Sequence, residues 1–196
     1  MKIYRIFSIA VFRLLLITSL IGLGAVQADA GNRKTDSLDA GYSALRLFLK
    51  DEQHLTTIRR LKLVIGFESI SDKSVKLIDD IADTSAEALD QLEQLAAARP
   101  VIVFEEFSDE SIGKSTLDSL RYATAKEFLF ETENFEKDLL LSQSHILRVI
   151  SHLARQLEQK ETNTRRKAWL QKIADRYETF YQQVYARLSV TGSGNA

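Results

Sequence analysis

The chain has 196 residues, with one proline, eight glycines, no cysteine and a formal net charge of −1 at pH 7. So few turn-forming residues argue against an all-β fold. The lack of cysteine excludes a disulfide framework and a thiolate metal site. A mildly acidic chain without a basic block is also a poor candidate for nucleic-acid binding.

The first thirty residues have the pattern of a bacterial export signal. Three basic residues precede an apolar run at 14–26, and residues 28–30 read Ala-Asp-Ala. A basic start, a short apolar core and an A-x-A site are typical of a cleaved secretory signal. We expect cleavage near Ala30, a periplasmic or secreted location and no stable membrane span afterwards. An N-terminal anchor that is kept is the alternative.

Sparse glycine and proline after residue 32 predict long helices. We expect main helices at about 36–65, 72–98, 125–160 and 164–189, a short helix near 115–122 and a disordered tail at 191–196. Ser71 or Asp72 can cap the second helix, Pro100 follows its end, and Thr124 with Glu127 matches a capping box for the third. The pattern predicts an all-α fold: an antiparallel, ferritin-like up-down four-helix bundle over residues 31–190.

The segment 100–114 breaks the helical pattern, because it is first apolar and then acidic and contains Pro100 and Gly113. We interpret it as a long connection that packs on the bundle, with a β-hairpin as the alternative. The residues expected to pack are Val101, Val103, Phe104 and Phe107. Apolar stripes are predicted on the third helix (Phe128, Phe135, Leu139, Ser142, Ile146, Val149, Leu153, Leu157) and on the fourth (Trp169, Ile173, Tyr177, Phe180, Val184, Leu188).

A ligand site is suggested by Asp51, which falls near the middle of an apolar arc of the first helix that runs from Leu47 to Ile65. His54 follows three residues later, so the two side chains can reach each other. His145 of the third helix could meet His54 if those helices are neighbours. A carboxylate with histidines could hold a metal or haem in a bundle. A buried polar pair, or simple exposure at the bundle end, is the alternative.

No hydrolytic, nucleotide-binding or paired-carboxylate motif occurs in the chain after residue 30, so we expect no catalysis and no required cofactor. Tyr181 and Tyr185 lie beside the stripe of the fourth helix, at i and i+4, and could form a partner-facing patch. The sequence therefore favours an exported bundle that binds a partner protein or a component of the cell envelope.

Several pieces together resemble a bacterial family of exported ferritin-like four-helix proteins whose function is uncharacterised. They are Asp79-Asp80 with Leu89 and Leu92 in the second helix, and Phe135 followed by His145 in the third. The resemblance implies a ferritin-like bundle. Members often carry a second histidine in the final helix, where this chain has Phe180-Tyr181.

A local segment, Leu49-Lys50-Asp51-Glu52-Gln53, is similar to the L-T-x-x-Q motif of small periplasmic helical chaperones, with Lys50 in place of threonine. The alternatives to partner binding are therefore a metal- or haem-binding ferritin-like protein and a periplasmic chaperone.

Overall fold

The computed structural model of the chain describes residues 30–53, 70–105, 119 and 134–191. These ranges contain four helices and no strand: α1 (Ala30–Glu52), α2 (Asp72–Ala96), α3 (Phe135–Lys160) and α4 (Thr164–Thr191). The prediction of an all-α chain with four main helices is confirmed for these residues. In the same ranges no helix is long and apolar enough to cross a bilayer. Backbone contacts divide the chain into two units, 1–35 and 36–196, and the core lies in the second.

Helices α2 and α4 lie where the sequence predicts them. Helix α2 begins after Ser71, whose backbone is extended, and ends at Ala96, close to the expected residue 98. Helix α4 follows Asn163, whose side-chain oxygen accepts hydrogen bonds from the amides of Arg165 (3.0 Å) and Arg166 (3.1 Å). The predicted α4 stripe is buried, except for Leu188, which is partly buried and packs against the core.

Helix α3 begins at Phe135 rather than near residue 125. Asn134 has an extended backbone (φ −146°, ψ 90°), and its Oδ1 accepts a 2.9 Å hydrogen bond from the amide of Lys137. An asparagine in this role satisfies a first-turn amide that has no partner within the helix. The expected capping box at Thr124 and Phe128 of the expected stripe lie outside the described residues, as does the expected short helix apart from Ser119.

The buried face of α3 also differs from the predicted stripe. Phe135, Leu139 and Leu157 are buried as expected, but the four stripe residues between Leu139 and Leu157 are only half-buried. The residue that follows each of these four is buried in the core instead: Gln143, Leu147, Ile150 and Ala154. Helix α3 packs closely against α4. Its inward face therefore contains small and polar residues that an apolar count does not select.

The segment after Pro100 is extended and only alternate side chains face the bundle. Ile102 is buried, whereas Val101 is 55% exposed and Val103 is 63% exposed. The expectation that both valines pack on the bundle is therefore wrong, because successive side chains of an extended chain point to opposite sides. Phe104 is partly buried against the core, and Phe107 lies outside the described residues.

All four helices contribute to one core. Its largest fully buried side chains are Tyr42, Leu45 and Leu49 from α1, Ile78, Ile81 and Leu92 from α2, Phe135, Leu140, Leu147 and Ile150 from α3, and Tyr177 and Phe180 from α4. Helix α1 comes close to α3 at Gly41, where an added Cβ would lie 2.5 Å from Cδ2 of Leu157. Gly41 lies within α1, and its lack of a side chain leaves room for this leucine.

Candidate functional site

The buried carboxylate of α1 is Glu52 rather than Asp51. The buried positions of this helix are Tyr42, Leu45, Leu49 and Glu52, which recur every three or four residues, while Asp51 is half-buried. The predicted position of Asp51 in the middle of the buried face is thus wrong. Most of the expected arc, residues 54–65, lies outside the described ranges, and α1 ends at Glu52. Leu47 and Phe48 of the expected arc are only half-buried, so the described helix buries a different side.

The other two predicted ligands are placed differently. His54 lies outside the described residues. His145 is exposed on α3, and its ring Nδ1 lies 2.9 Å from the carbonyl oxygen of Leu141, one turn earlier in the same helix. Because the carbonyl accepts, Nδ1 donates and Nε2 stays available. Within the described ranges no group of three or more His, Cys, Asp or Glu residues could hold a metal ion. A site formed by Asp51, His54 and His145 stays a prediction.

A polar cluster lies inside the bundle and is formed by Glu52, Ser85 and Tyr177. All three residues are buried, and the hydroxyls of Ser85 and Tyr177 are 2.6 Å apart. Ser85 also donates a 2.7 Å hydrogen bond to the carbonyl oxygen of Ile81. Because that bond uses the serine proton, the short contact has the phenol of Tyr177 donating to Ser85. Tyr177 therefore donates to Ser85, and Ser85 in turn donates to the backbone of α2.

The phenol of Tyr177 is held in its protonated form. Burial raises its pKa, the negative charge of Glu52 raises it further, and the hydrogen bond with Ser85 only partly opposes these effects. A phenol whose pKa lies far above neutrality donates a hydrogen bond and does not act as a base. We therefore interpret this cluster as structural. Sequence reasoning placed Tyr177 in the core correctly and missed Ser85 and Glu52, which look like ordinary exposed helix residues.

A second buried polar cluster lies at the turn between α3 and α4. Oε2 of Glu161 accepts a 2.6 Å hydrogen bond from the hydroxyl of Tyr42 and lies 2.9 Å from Nε of Arg166. Its other oxygen, Oε1, accepts from the amides of Thr162 and Asn163, both at 2.8 Å. Both carboxylate oxygens are thus used inside the protein, as a buried carboxylate requires.

This arrangement shifts the pKa of both ends of the Tyr42–Glu161 hydrogen bond. Burial alone raises the pKa of Glu161, but the hydrogen bonds from Tyr42 and Asn163 and the charge of Arg166 outweigh it, so the pKa lies below its ordinary value. Burial and the neighbouring carboxylate raise the pKa of Tyr42. Arg166 also donates to the carbonyl oxygen of Pro100. The cluster therefore joins α1, the α3–α4 turn and the segment after α2.

The predicted partner-facing tyrosines contact each other on the surface of α4. The rings of Tyr181 and Tyr185 have centroids 6.2 Å apart and are tilted by 35°, and the guanidinium of Arg148 in α3 lies 5.5 Å from the centroid of Tyr181. Tyr185 is 60% exposed and Tyr181 is half-buried. His145 and Arg148 are three residues apart and share one face of α3. We name Arg148, Tyr181 and Tyr185 the aromatic-basic patch, which bridges α3 and α4.

Comparison of the chain with protein families, with curated proteins and with solved structures finds no match.

Proposed function

We propose that this protein is exported and acts without catalysis, by binding a partner protein or a component of the cell envelope through the aromatic-basic patch. The observation that carries the proposal is the stacking of Arg148 on the half-buried Tyr181, beside the exposed Tyr185. Tyrosine and arginine are the residue types enriched where protein interfaces gain most of their binding energy. Tyr181 is already held by its neighbours, so little side-chain entropy is lost when a partner binds.

The surroundings of the patch suit a partner with acidic groups. The exposed positions of α3 from residue 141 to its end carry leucine, histidine, arginine, glutamine and lysine, and no carboxylate. A surface of this composition attracts negatively charged partners and offers apolar contact at Leu141, which is 37% exposed. Arg148 lies at its centre. A carboxylate of the partner could pair with the guanidinium while an apolar group covers Tyr185.

The proposal includes an antiparallel bundle of the four helices, with the connection between α2 and α3 returning along its length. At one end of the bundle, the hydroxyl of Ser71 donates a 2.6 Å hydrogen bond to the carboxylate of Glu136, near the start of α3. The same oxygen lies 3.4 Å from Nη2 of Arg187, near the end of α4. At the other end, Arg166 of α4 meets Pro100, just after α2. These contacts support α2 and α3 running in one direction and α4 in the other, as in a ferritin-like arrangement.

Site-specific photo-crosslinking tests the binding role of the patch in cells that make the protein. A photoreactive phenylalanine analogue placed at Tyr185 should give a discrete covalent adduct. The matched control is the same analogue at Lys172, which is also exposed on α4 but lies about 140° around the helix. Arg148→Ala should reduce the adduct at position 185 by at least about fivefold, because hot-spot truncations cost 2 kcal/mol or more.

Two outcomes would overturn the binding role. One is the absence of any adduct at position 185. The other is equal adducts at positions 185 and 172, which would show that the surface contacts neighbours without preference. Circular dichroism of Arg148→Ala, which should match that of the original protein, separates loss of the patch from loss of the fold.

A further inference from the structure

Four carboxylates form a row on the outer face of α2. Between residues 80 and 90, the exposed positions of this helix are Asp80, Asp83, Glu87 and Asp90 and no others. Steps of three, four and three residues keep them on one side of the helix. No ion pair joins Asp83 or Asp90 to another described residue, and Glu87 only accepts a 2.9 Å hydrogen bond from the Gln91 side chain of its own helix. We call these four carboxylates the acidic row.

Helix α3 carries a row of the opposite character. Between residues 145 and 155, its exposed positions are His145, Arg148, His152 and Arg155 and no others. Arg155 is 3.3 Å from Asp175 in an exposed ion pair, a contact of the kind that contributes about 0–1 kcal/mol and is easily exchanged. No ion pair joins His145, Arg148 or His152 to another described residue. We call these four side chains the basic row.

The two rows have the same spacing. Each follows the steps three, four and three, so each extends about 15 Å along its helix axis. The spacing of three, four and three residues is the same from either end of a row, so the rows can face each other in a parallel or an antiparallel register. In either register both arginines meet a carboxylate. His152 can donate a hydrogen bond to one, and His145, whose Nδ1 donates to the carbonyl of Leu141, can donate through Nε2 only as an imidazolium. Within one molecule, no ion pair between the rows is formed among the described residues, which leaves both rows available to another molecule.

We propose that the partner of the α3 face is a second copy of this chain, whose acidic row docks on the basic row. This inference rests on the proposed function, since it names the partner for the same face. One exposed pair contributes little, but four aligned pairs act together and also fix the register. The net charge of only −1 leaves little general repulsion between copies. Because the two rows lie on different helices, the contact is either reciprocal in a two-fold dimer or head-to-tail in a ring or an open chain of copies.

Light scattering coupled to size-exclusion chromatography tests this contact with the full chain. At a salt concentration of about 0.01 M, where the Debye length is about 30 Å, the average mass should be that of two or more copies. At about 1 M salt, where the Debye length is about 3 Å, the average mass should fall to that of one copy. If the contact were hydrophobic, the average mass would not fall at high salt.

Charge reversal tests the two rows directly. Replacing all four carboxylates by lysine (Asp80→Lys, Asp83→Lys, Glu87→Lys and Asp90→Lys) makes both rows basic, and Arg148→Glu with Arg155→Glu makes both acidic. Each variant alone should be a single copy at low salt, and an equal mixture should assemble again, because every acidic row then finds a basic one. The matched control for the arginine variant is Lys167→Glu with Lys172→Glu, which makes the same charge change at exposed positions of α4. This control should assemble as the original protein does.

A single copy at low salt would overturn the self-association, as would assembly that persists in both reversed variants or a mixture that fails to assemble. If the protein is a single copy while Tyr185 still crosslinks to a different protein, the self-association is wrong and the proposed function stands. If assembly behaves as expected but Tyr185 gives no adduct, the contact between the rows stands and the role of the aromatic-basic patch is wrong.

Discussion

The hydroxyl of Tyr42 in α1 donates a 2.6 Å hydrogen bond to Oε2 of Glu161, a residue 119 positions away at the α3–α4 turn. Both side chains are buried, and Arg166 approaches the same carboxylate oxygen. The first and last parts of the bundle are therefore joined by a hydrogen bond to a charged group. Such bonds contribute more than neutral ones, and removing one partner leaves the other buried without compensation.

Tyr42→Phe should lower the free energy of unfolding by about 1–3 kcal/mol, since the carboxylate of Glu161 loses its phenol donor without a change in packing volume. Urea denaturation followed by circular dichroism measures the loss. Tyr185→Phe is the matched control, because it removes a hydroxyl from a side chain that is 60% exposed, and it should leave the midpoint unchanged. Equal midpoints for the two variants would show that the Tyr42 hydrogen bond does not stabilise the fold.

The lowered pKa of Glu161 makes stability depend on pH in a defined direction. Its ordinary value is 4.5 and the folded value lies below it, so around this pH the unfolded chain binds more protons than the folded one. The contribution of Glu161 is present above the unfolded pKa and is lost as the pH falls through the folded pKa. The free energy of unfolding should therefore fall as the pH drops below about 4.5.

Glu161→Gln checks the source of this acid sensitivity, because glutamine is similar in shape and does not titrate in this range. The difference in unfolding free energy between the original protein and this variant should shrink as the pH falls. Some acid sensitivity should remain in the variant, since the pKa of Glu136 is also lowered, because hydrogen bonds from Ser71 and the charge of Arg187 outweigh its burial. A difference that is constant between neutral and acidic pH would contradict the role of Glu161.

The Ser85–Tyr177 pair should behave as a coupled unit. Ser85→Ala leaves the phenol of Tyr177 buried without its acceptor, and should cost about 1–3 kcal/mol of unfolding free energy. Tyr177→Phe removes the donor as well, so the double variant should be less destabilised than the sum of the two single ones. Urea denaturation of all four proteins gives the coupling energy, expected at 0.5 kcal/mol or more. Additive effects would show that the 2.6 Å contact does not stabilise the protein.

The sequence predicts those parts of the fold that local chemistry determines. Helix α2 is flanked by Ser71 and Pro100, and the large apolar residues of α4 recur with helical spacing, so the bounds of α2 and the inward face of α4 could be predicted directly. The buried polar clusters could not be read, because Ser85 and Glu161 are polar residues whose partners come from distant parts of the chain. For α1 the apolar arc from Leu47 to Ile65 predicts Asp51 as the buried carboxylate, whereas the structure buries Glu52.

Two capping patterns in the sequence predict different first residues for α3. Thr124 with Glu127 matches a capping box, and Asn134 is a second good capping residue ten positions later. Phe128 lies seven residues before Phe135, which favours a start near 125, whereas residues 131–134 are polar. In the structure Asn134 is the capping residue, because its backbone is extended and cannot continue a helix. Its side chain accepts a hydrogen bond from the amide of Lys137. A buried phenylalanine directly after the cap then anchors the first turn of α3.

Asn134→Ala distinguishes these two starts by the sign of its effect. If Asn134 caps the helix, alanine removes the acceptor for the amide of Lys137 and should lower the free energy of unfolding by about 1 kcal/mol. If the helix ran through residue 134 from a start near 125, alanine would raise stability, because it is a better helix former than asparagine. The matched control is Asn163→Ala at the start of α4, where the cap follows from two hydrogen bonds and should cost a similar amount. A gain in stability for Asn134→Ala, beside a loss for Asn163→Ala, would place the start of α3 before residue 134.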